Sequence, residues 1–233
     1  MFDTLEIAVK DAYLLPPEEF TNIRRSGIGA SDASVILGLQ AAWKTTDDII
    51  EEKLRKHVTD EELEIGNKPN VRKGKDLEPL VLQKAEEFFG KEIIKPTDMY
   101  RFKEYPWLTI NFDGVMDGTI VEAKVVTPYG EKYYDKDKAI NIKDIDLLER
   151  TRLKEAFITQ DIETKARACG IPPYYYAQVQ QQLLATQSKY GFLAALHDKD
   201  WTLRIYFIPA DYIVQADIIR ESKKVWKRIE ARR

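Results

Sequence analysis

The stretch that decides the fold is FDGVMDGTIVEAKVV, residues 112–126. Two short apolar runs separated by a Gly-containing turn are typical of neighbouring β-strands. Asp113 ends the first run, and Glu122 and Lys124 lie two positions apart on the second, so their side chains point to the same face of the strand. The sequence therefore predicts two carboxylates and one ammonium group in a small volume, which is costly unless the group is exposed or organised by a cation.

A divalent metal ion offsets that cost. Mg²⁺ prefers oxygen ligands and often binds through one or two carboxylates together with a substrate phosphate. A bound metal polarises the phosphate and lowers the pKa of a bound water, while Lys124 can position or help to deprotonate the attacking water and offset charge in the transition state. A cysteine or histidine metal site is disfavoured, because the chain has one cysteine, Cys169, and two histidines, His57 and His197. The pattern thus indicates phosphodiester hydrolysis.

The spacing D-x8-E-x-K on its own also fits a half-exposed strand with a purely structural role. Here the motif EAK is enclosed between the apolar pairs 120–121 and 125–126. Charges inside an apolar run are not those of a plainly wet strand face, and this favours a functional site.

Periodicity on both sides of the stretch predicts an α/β fold with a central mixed β-sheet flanked by helices. In the helix predicted at 76–90, Asp76 is the expected cap, Pro79 lies in the first turn with Glu78, and Gly90 ends the helix. The other predicted helices are 16–27, 30–38, 45–57, 172–189 and a long one from 211 onward, and the predicted strands are 92–96, 99–102, 107–114, 119–126, 191–198 and 201–209.

Length and composition predict one domain, residues 1–233, of an ordinary globular class, with 44% hydrophobic and 32% charged residues. Residues 129–167 are expected to form a charged helical insertion or lid, with local disorder as the alternative, because 131–167 contain nine basic and nine acidic residues. No run is long enough to span a membrane and the first residues do not resemble a secretory signal, so we expect a cytoplasmic protein without membrane contact.

The formal net charge of −3 does not by itself indicate a nucleic-acid partner. Basic residues are nevertheless concentrated at 68–75 and in the last fourteen positions, which contain seven Lys or Arg. Both segments are either solvated surface or contacts to a phosphate backbone.

Five motifs in order resemble the lambda exonuclease and YqaJ-type viral recombinase family of the PD-(D/E)xK nuclease superfamily. RRSGIGASDASVILG resembles the opening motif and places Arg24 and Ser31. GKDLE places Glu78, FDG and EAK are the two strand motifs already described, and YYAQVQ resembles the following helix and places Tyr175 and Gln178. Together the motifs span the chain from 24 to 184.

The resemblance implies a role for each matched residue. Asp113, Glu122 and the backbone carbonyl of Ala123 are expected to bind the catalytic Mg²⁺, with Mn²⁺ able to substitute, and Glu78 to contribute to the metal and its water network. Lys124 is the expected catalytic lysine. By the same resemblance, Arg24 and Ser31 bind a terminal 5′-phosphate, for which a forked guanidinium and a hydroxyl near a helix start are well suited.

On the helix that begins near 172, Tyr175, Gln178 and Gln182 fall along one face. Gln178 is expected to orient the scissile phosphate or the attacking water. Tyr175 either contacts DNA or packs in the core, as at least one of three consecutive tyrosines should. The interval between Lys124 and Tyr175 is longer than in the lambda pattern by about one helical hairpin, which affects the expected DNA entrance and subunit packing.

The predicted function is therefore a magnesium-dependent 5′-to-3′ exonuclease that digests linear double-stranded DNA to mononucleotides and leaves a 3′ single strand for phage-type recombination. The resemblance also implies a homo-oligomer, a trimeric ring in the family, and a single-strand annealing protein as partner. Two alternatives stay open: a structure-specific or Cas4-like endonuclease on the same core, although the cysteines of an iron–sulfur cluster are lacking, and a non-catalytic DNA-binding recombination scaffold.

Overall fold

The computed structural model describes residues 2–39, 44–142 and 161–233. The α-helices are α1 (Pro17–Ile23), α2 (Ala30–Ile36), α3 (Thr46–Leu54), α4 (Asp60–Asn67), α5 (Pro69–Phe89), α6 (Ile162–Cys169), α7 (Pro173–Thr186) and α8 (Tyr212–Glu230). The strands are β1 (Leu5–Val9), β2 (Met99–Phe102), β3 (Thr109–Ile110), β4 (Gly114–Met116), β5 (Thr119–Val126), β6 (Tyr190–His197) and β7 (Thr202–Pro209). This mixed α/β arrangement confirms the predicted fold class.

The main sheet has the strand order β4-β5-β6-β7. Strands β4 and β5 pair antiparallel, β5 and β6 pair parallel, and β6 and β7 pair antiparallel. The parallel pair is joined by a long crossover that contains α7, as a parallel connection requires. A second, antiparallel sheet contains β1, β2 and β3.

The β4–β5 hairpin has a two-residue turn, Asp117–Gly118, whose φ angles are 49° and 80°. Two consecutive positive φ values are typical of the turn that matches the twist of antiparallel strands, and Asp-Gly is a favoured sequence for it. The turn sets the register in which Gly114 pairs with Val121, and this register places Asp113 beside Glu122.

Strand β5 is covered on both faces. Val121 and Ala123 pack into a core with Val81 and Ala85 of α5, whereas Ile120 on the other face belongs to the larger core that includes residues of α7. Side chains on a strand alternate between faces, so Glu122 and Lys124 lie on the α7 side. Glu122 is therefore buried, and only 1% of its surface is exposed to solvent.

Most predicted elements are confirmed, but the helix predicted at 76–90 begins earlier. It starts at Pro69, which occupies the first turn, and Pro79 lies inside it. The prediction that Asp76 caps the helix and that Glu78 lies in its first turn was wrong, because the helix tolerates an internal proline that was interpreted as a start signal. Glu78 lies near the third turn instead.

Two further predictions of local structure need correction. The predicted strand at 92–96 is wrong: only an isolated bridge between Ile94 and Val115 forms there. The predicted strand at 107–114 is reduced to β3, Thr109–Ile110, followed by β4. Strand β1 and helix α4 were not predicted, since the former alternates weakly at an edge and the latter has no buried residue.

The predicted insertion at 129–167 lies partly outside the described residues, namely at 143–160. Its described borders pack on the body of the domain: the Ile140 amide donates to the Ile205 carbonyl at 2.8 Å, and the Asp135 amide donates to the Gly170 carbonyl at 3.0 Å. The insertion itself stays a prediction. None of the helices described is long and apolar enough to cross a membrane.

Candidate active site

The β4–β5 hairpin brings the two predicted acids together. Asp113 lies just before β4, and its Oδ2 accepts a hydrogen bond from the backbone amide of Ala123 at 3.0 Å. Glu122 is the neighbour of Ala123 on β5. The hairpin alone, without any distant element, therefore positions both carboxylates and the Ala123 carbonyl within one short segment.

Glu122 is the centre of a network with helix α7. Its Oε2 accepts from Gln182 Nε2 at 2.5 Å, and its Oε1 accepts from both Gln178 Nε2 and Lys124 Nζ. The face of α7 that the sequence predicted therefore points at β5. Three donors therefore surround one buried carboxylate and fix its orientation.

Tyr175 lies at the open side of this network. The Lys124 ammonium lies over its ring, 5.0 Å from the ring centroid. Tyr176, the next residue, is completely buried. Tyr176 is thus the core tyrosine of the YYY run, and Tyr175 is left half-buried beside the candidate catalytic lysine.

The electrostatics of the site reflect crowding of like charges. Burial, followed by repulsion from Glu122, raises the pKa of the Asp113 carboxyl well above its usual range, although Lys124 opposes the shift. Burial alone would lower the pKa of Lys124, but Glu122 and Asp113 raise it above its ordinary value. Lys124 therefore stays charged at neutral pH, which suits a cation that stabilises negative charge better than a base that accepts a proton.

Glu78 approaches the same site from α5. Its charge contributes to the raised pKa of Asp113, and its Oε1 accepts a hydrogen bond from Lys95. Lys95 was not predicted as a partner of Glu78, and the role of Glu78 in the metal and its water network stays a prediction.

Tyr13 is a second residue at the site that the sequence did not indicate. Burial, then the charges of Asp113, Glu78 and Glu122, raise the pKa of its hydroxyl, and Arg24 lowers it. Lys95 Nζ lies 4.7 Å from the centroid of its ring. The ring of Tyr13 also stacks on Phe20, with 5.2 Å between the ring centroids, so its position depends on packing between distant parts of the chain.

Arg24 and Ser31 converge, as the opening motif led us to expect. Arg24 Nη2 donates to Ser31 Oγ at 3.2 Å, and both are exposed to solvent. The Arg24 guanidinium lies 6.0 Å from the centroid of the Phe20 ring, which stacks on Tyr13. Contacts through Tyr13 and Lys95 therefore join Arg24 to Glu78. We call residues 24–31 the Arg24–Ser31 turn.

A buried ion pair supports the Arg24–Ser31 turn from below. Lys53 Nζ lies 3.0 Å from Asp32 Oδ2 and donates to the Arg24 carbonyl at 3.0 Å. Asp32 in turn accepts from the Gly29 amide at 3.1 Å, at the start of α2. Lys53 and Asp32 thus hold the turn in place, and the sequence predicted a role for neither.

The donors at this site fit a hard divalent cation by their chemistry. Asp113, Glu122 and the Ala123 carbonyl offer oxygen atoms, which are the ligands that Mg²⁺ prefers. In the ranges 2–39, 44–142 and 161–233, no three or more His, Cys, Asp or Glu side chains are arranged as a metal-binding group. Glu122 and Glu78 are instead held by ammonium and amide donors.

Residues 19–189 match the family described as the YqaJ-like viral recombinase domain. This chain belongs to that family. The curated protein YqaJ of Bacillus subtilis strain 168, which is uncharacterized, is 30% identical over 123 residues, or 52% of this chain. The match covers 37% of that relative, so this chain spans a little over a third of its length.

The fold of this YqaJ-like domain is shared with solved exonucleases. A structure of LHK-Exo in complex with dAMP superposes with a TM-score of 0.60 and 15% identity over 92% of this chain and 93% of that one. The alkaline exonuclease LHK-Exo from Laribacter hongkongensis gives a TM-score of 0.59 and 16% identity over 90% of each chain. At this identity the similarity establishes the shared fold alone.

Proposed function

We propose that this YqaJ-like domain is a magnesium-dependent 5′-to-3′ exonuclease that digests linear double-stranded DNA to mononucleotides and a 3′ single strand. The observation that carries the proposal is the Arg24–Ser31 pair, 3.2 Å apart, which a chain of contacts through Phe20, Tyr13 and Lys95 joins to Glu78. A site for a terminal phosphate next to a site for hydrolysis is what distinguishes an end-directed nuclease from a generic one.

The reaction places different demands on the residues of the two sites. Asp113, Glu122 and the Ala123 carbonyl would hold Mg²⁺ or Mn²⁺, which when bound polarises the scissile phosphate and lowers the pKa of a water. Lys124 stays protonated and stabilises the charge that develops on the phosphate oxygens. Gln178 and Gln182 fix the Glu122 carboxylate, so that its oxygen atoms need not reorganise during the reaction.

The Arg24–Ser31 turn supplies selection of the end. The Arg24 guanidinium can bind two phosphate oxygens in a charge-assisted contact, and the Ser31 hydroxyl adds a neutral hydrogen bond. A terminal 5′-phosphate bound here sets the register of the strand relative to Asp113 and Glu122. Because Tyr175 contacts Lys124, it is well placed to contact the nucleotide at the point of cleavage.

The wider biological setting also belongs to the proposal. Membership of a viral recombinase family and the similarity to LHK-Exo support a role in phage-type recombination in the cytoplasm of a host cell. A homo-oligomer, in the form of a trimeric ring, and a single-strand annealing partner are further proposals.

The experiment that tests the proposal compares linear duplexes with a 5′-phosphate and with a 5′-hydroxyl, in Mg²⁺ or in chelator. We expect Mg²⁺-dependent release of mononucleotides, faster from the phosphorylated end. Arg24→Ala should lose a charge-assisted contact of roughly 1.5–3 kcal/mol, or about 10- to 150-fold in rate on the phosphorylated end, and most of the preference.

Arg220→Ala is the matched control, because Arg220 is an exposed arginine paired with Asp217 and Glu221 on its own helix. Equal wild-type rates on both ends would refute the end-directed reading. Cleavage of covalently closed circles would favour an endonuclease, and DNA binding without any hydrolysis would favour a recombination scaffold.

A further inference from the structure

A cleft of about 590 Å³ lies between α8 and the three-stranded sheet, and none of the candidate active-site side chains lines it. Trp107 and Trp226 are both in its wall, together with Arg101, Lys223, Lys227 and Arg233. Among the residues that the structure describes, Glu230 is the only acid that lines it. The cleft thus combines two large aromatic rings with an excess of cations.

The two tryptophans are fixed by their nitrogen edges. Trp107 Nε1 donates to Ser222 Oγ at 2.9 Å, and Trp226 Nε1 donates to Glu230 Oε1 at 2.9 Å. Both rings carry a cation, with Lys223 Nζ 5.4 Å from the centroid of Trp107 and Arg233 Cζ 4.8 Å from that of Trp226. With the indole N–H groups already satisfied, a ligand can meet these rings only at their faces, where Lys223 and Arg233 also lie.

A second cleft of about 460 Å³ continues the first, since Ser26 and Arg233 line both. It adds Arg25, Arg55 and Lys56, among others, and none of the described residues that line it is acidic. We call the two clefts together the tail groove, because the end of α8 forms one wall.

Part of the charge in the tail groove is not neutralised by the protein. Within the residues that the structure describes, no carboxylate lies within ion-pair distance of five of its cations: Lys56, Arg101, Lys223, Lys227 and Arg233. By contrast, Lys224 and Arg220 on the same helix are paired with acids of their own helix. A row of unpaired cations beside water favours an anionic ligand.

We propose that the tail groove is a second, non-catalytic binding site for single-stranded DNA. Its unpaired cations would contact successive phosphates, and Trp107 and Trp226 would stack with bases, a combination that binds single strands with little sequence preference. A duplex keeps its bases stacked inside and cannot present them to rings in a cleft. An acidic peptide would match the charge but would leave the two tryptophan faces without a planar partner.

The tail groove also borders the Arg24–Ser31 turn, because Arg25 and Ser26 belong to both. If the proposed function holds, digestion of the 5′-terminated strand leaves its complement single-stranded close to this groove. That complement is then the DNA that the groove would bind. The binding itself does not depend on hydrolysis and can be measured without it.

The test is fluorescence anisotropy with a dye-labelled 5′-hydroxyl oligothymidylate in chelator, where neither cleavage nor recognition of a 5′-phosphate contributes. The variant Lys223→Glu/Lys227→Glu is compared with Lys224→Glu/Arg220→Glu, which makes the same charge change on the same helix but outside the groove. We expect the first pair to weaken binding at least tenfold and to lower the salt slope by about 1.4, and the second to weaken it less than threefold.

Equal weakening by the two double variants would overturn the proposal, because it would show only non-specific attraction. Binding of a duplex of the same length with equal affinity would also overturn the proposal. Displacement of the oligonucleotide by polyglutamate at equal concentration would overturn it as well, because that result would identify an acidic-peptide site. The proposed exonuclease function is judged separately by its metal and 5′-phosphate dependence, so that either conclusion can fail without the other.

Discussion

Replacing Lys53 by Met removes the buried cation beneath the Arg24–Ser31 turn. The Lys53 side chain is 1% exposed, and that of Asp32 is 5% exposed. At 3.0 Å and an effective dielectric constant of about 20, their gross attraction is roughly 5.5 kcal/mol, which the cost of dehydrating both charges offsets in large part. If one partner is removed, the cost of dehydrating the remaining charge is no longer offset. Removal of one member of a buried pair typically destabilises the folded protein by about 3–5 kcal/mol.

The lower end of this range applies to Lys53→Met. Asp32 keeps a second cation, Lys44, at 3.5 Å and the Gly29 amide at 3.1 Å. We therefore expect the free energy of unfolding to fall by about 3 kcal/mol in urea titrations followed by circular dichroism. Lys56→Met, an exposed neighbour, is the control and should change it by less than about 0.5 kcal/mol.

The double variant Lys53→Met/Asp32→Asn decides whether the buried charge is the cause. The introduced asparagine can still contact the Gly29 amide but carries no charge, so the double variant should be more stable than Lys53→Met alone. The loss in Lys53→Met should also shrink at low pH. Although burial opposes it, attraction by Lys53 and Lys44 lowers the pKa of Asp32 below its ordinary 3.8, so the stability it contributes is present above that pH and is lost as the pH falls below it. If the losses in free energy of unfolding caused by Lys53→Met and by Asp32→Asn simply added in the double variant, this reasoning would be refuted.

Three further predictions concern the candidate active site. Asp113→Asn should abolish Mg²⁺-dependent cleavage yet, in chelator, raise the thermal midpoint at pH 8. Burial and Glu122 raise the pKa of Asp113, so the native state loses stability as the pH rises from the pKa of the unfolded chain toward the pKa in the folded protein. The gain in thermal midpoint should therefore vanish near pH 4. Lys124→Ala should reduce the single-turnover rate while leaving DNA affinity within a few-fold, and a loss confined to affinity would contradict its role in the transition state. Gln182→Leu should lower the free energy of unfolding by roughly 1.5–3 kcal/mol in urea titrations, because it removes a hydrogen bond to a buried carboxylate; an unchanged urea midpoint would mean that Gln178 and Lys124 suffice.

The residues of β4 and β5 could be predicted because their geometry is local. An Asp-Gly turn fixes the register, and alternation along a strand fixes the face, so Asp113, Glu122 and Lys124 follow from about a dozen residues of sequence. The face of α7 is equally local, since helical spacing aligns Gln178 and Gln182. What the sequence could not supply was the neighbour that this face contacts.

Residues placed by long-range packing escaped the prediction. Tyr13 lies in a short 3-10 segment without hydrophobic periodicity and is fixed by its amide, which donates to the Thr97 carbonyl at 2.9 Å. Lys95 belongs to a segment predicted as a strand, so that its contact with Glu78 was not considered. Neither residue carries a local signal, because charge and ring contacts across the chain do not leave a period in the sequence.

The error in α5 has a definite physical origin. A proline inside a helix removes one backbone hydrogen bond and is usually found in the first turn. Pro79 therefore indicated a helix start, although the earlier Pro69 already satisfies the same rule. Two candidate start signals in one helix cannot be ranked from periodicity alone, since the first turns of α5 expose most of their side chains.

Helix α7 connects the two halves of the candidate site through its glutamines. Gln178 and Gln182 donate to the Glu122 carboxylate, while Gln181, completely buried, donates to the Ile28 carbonyl at 3.2 Å and to the Thr109 carbonyl at 3.1 Å. Ile28 lies within the Arg24–Ser31 turn, so one helix holds both the acid that would bind the metal and the turn that would bind the terminal phosphate. Because a helix is stiff over this length and amide hydrogen bonds to buried carbonyls are expensive to break, the separation of the two sites is set by α7 and not by the surface loops. An end-directed nuclease needs such a fixed separation, since a terminal phosphate held too loosely relative to the acids would not place one defined bond at the site of cleavage.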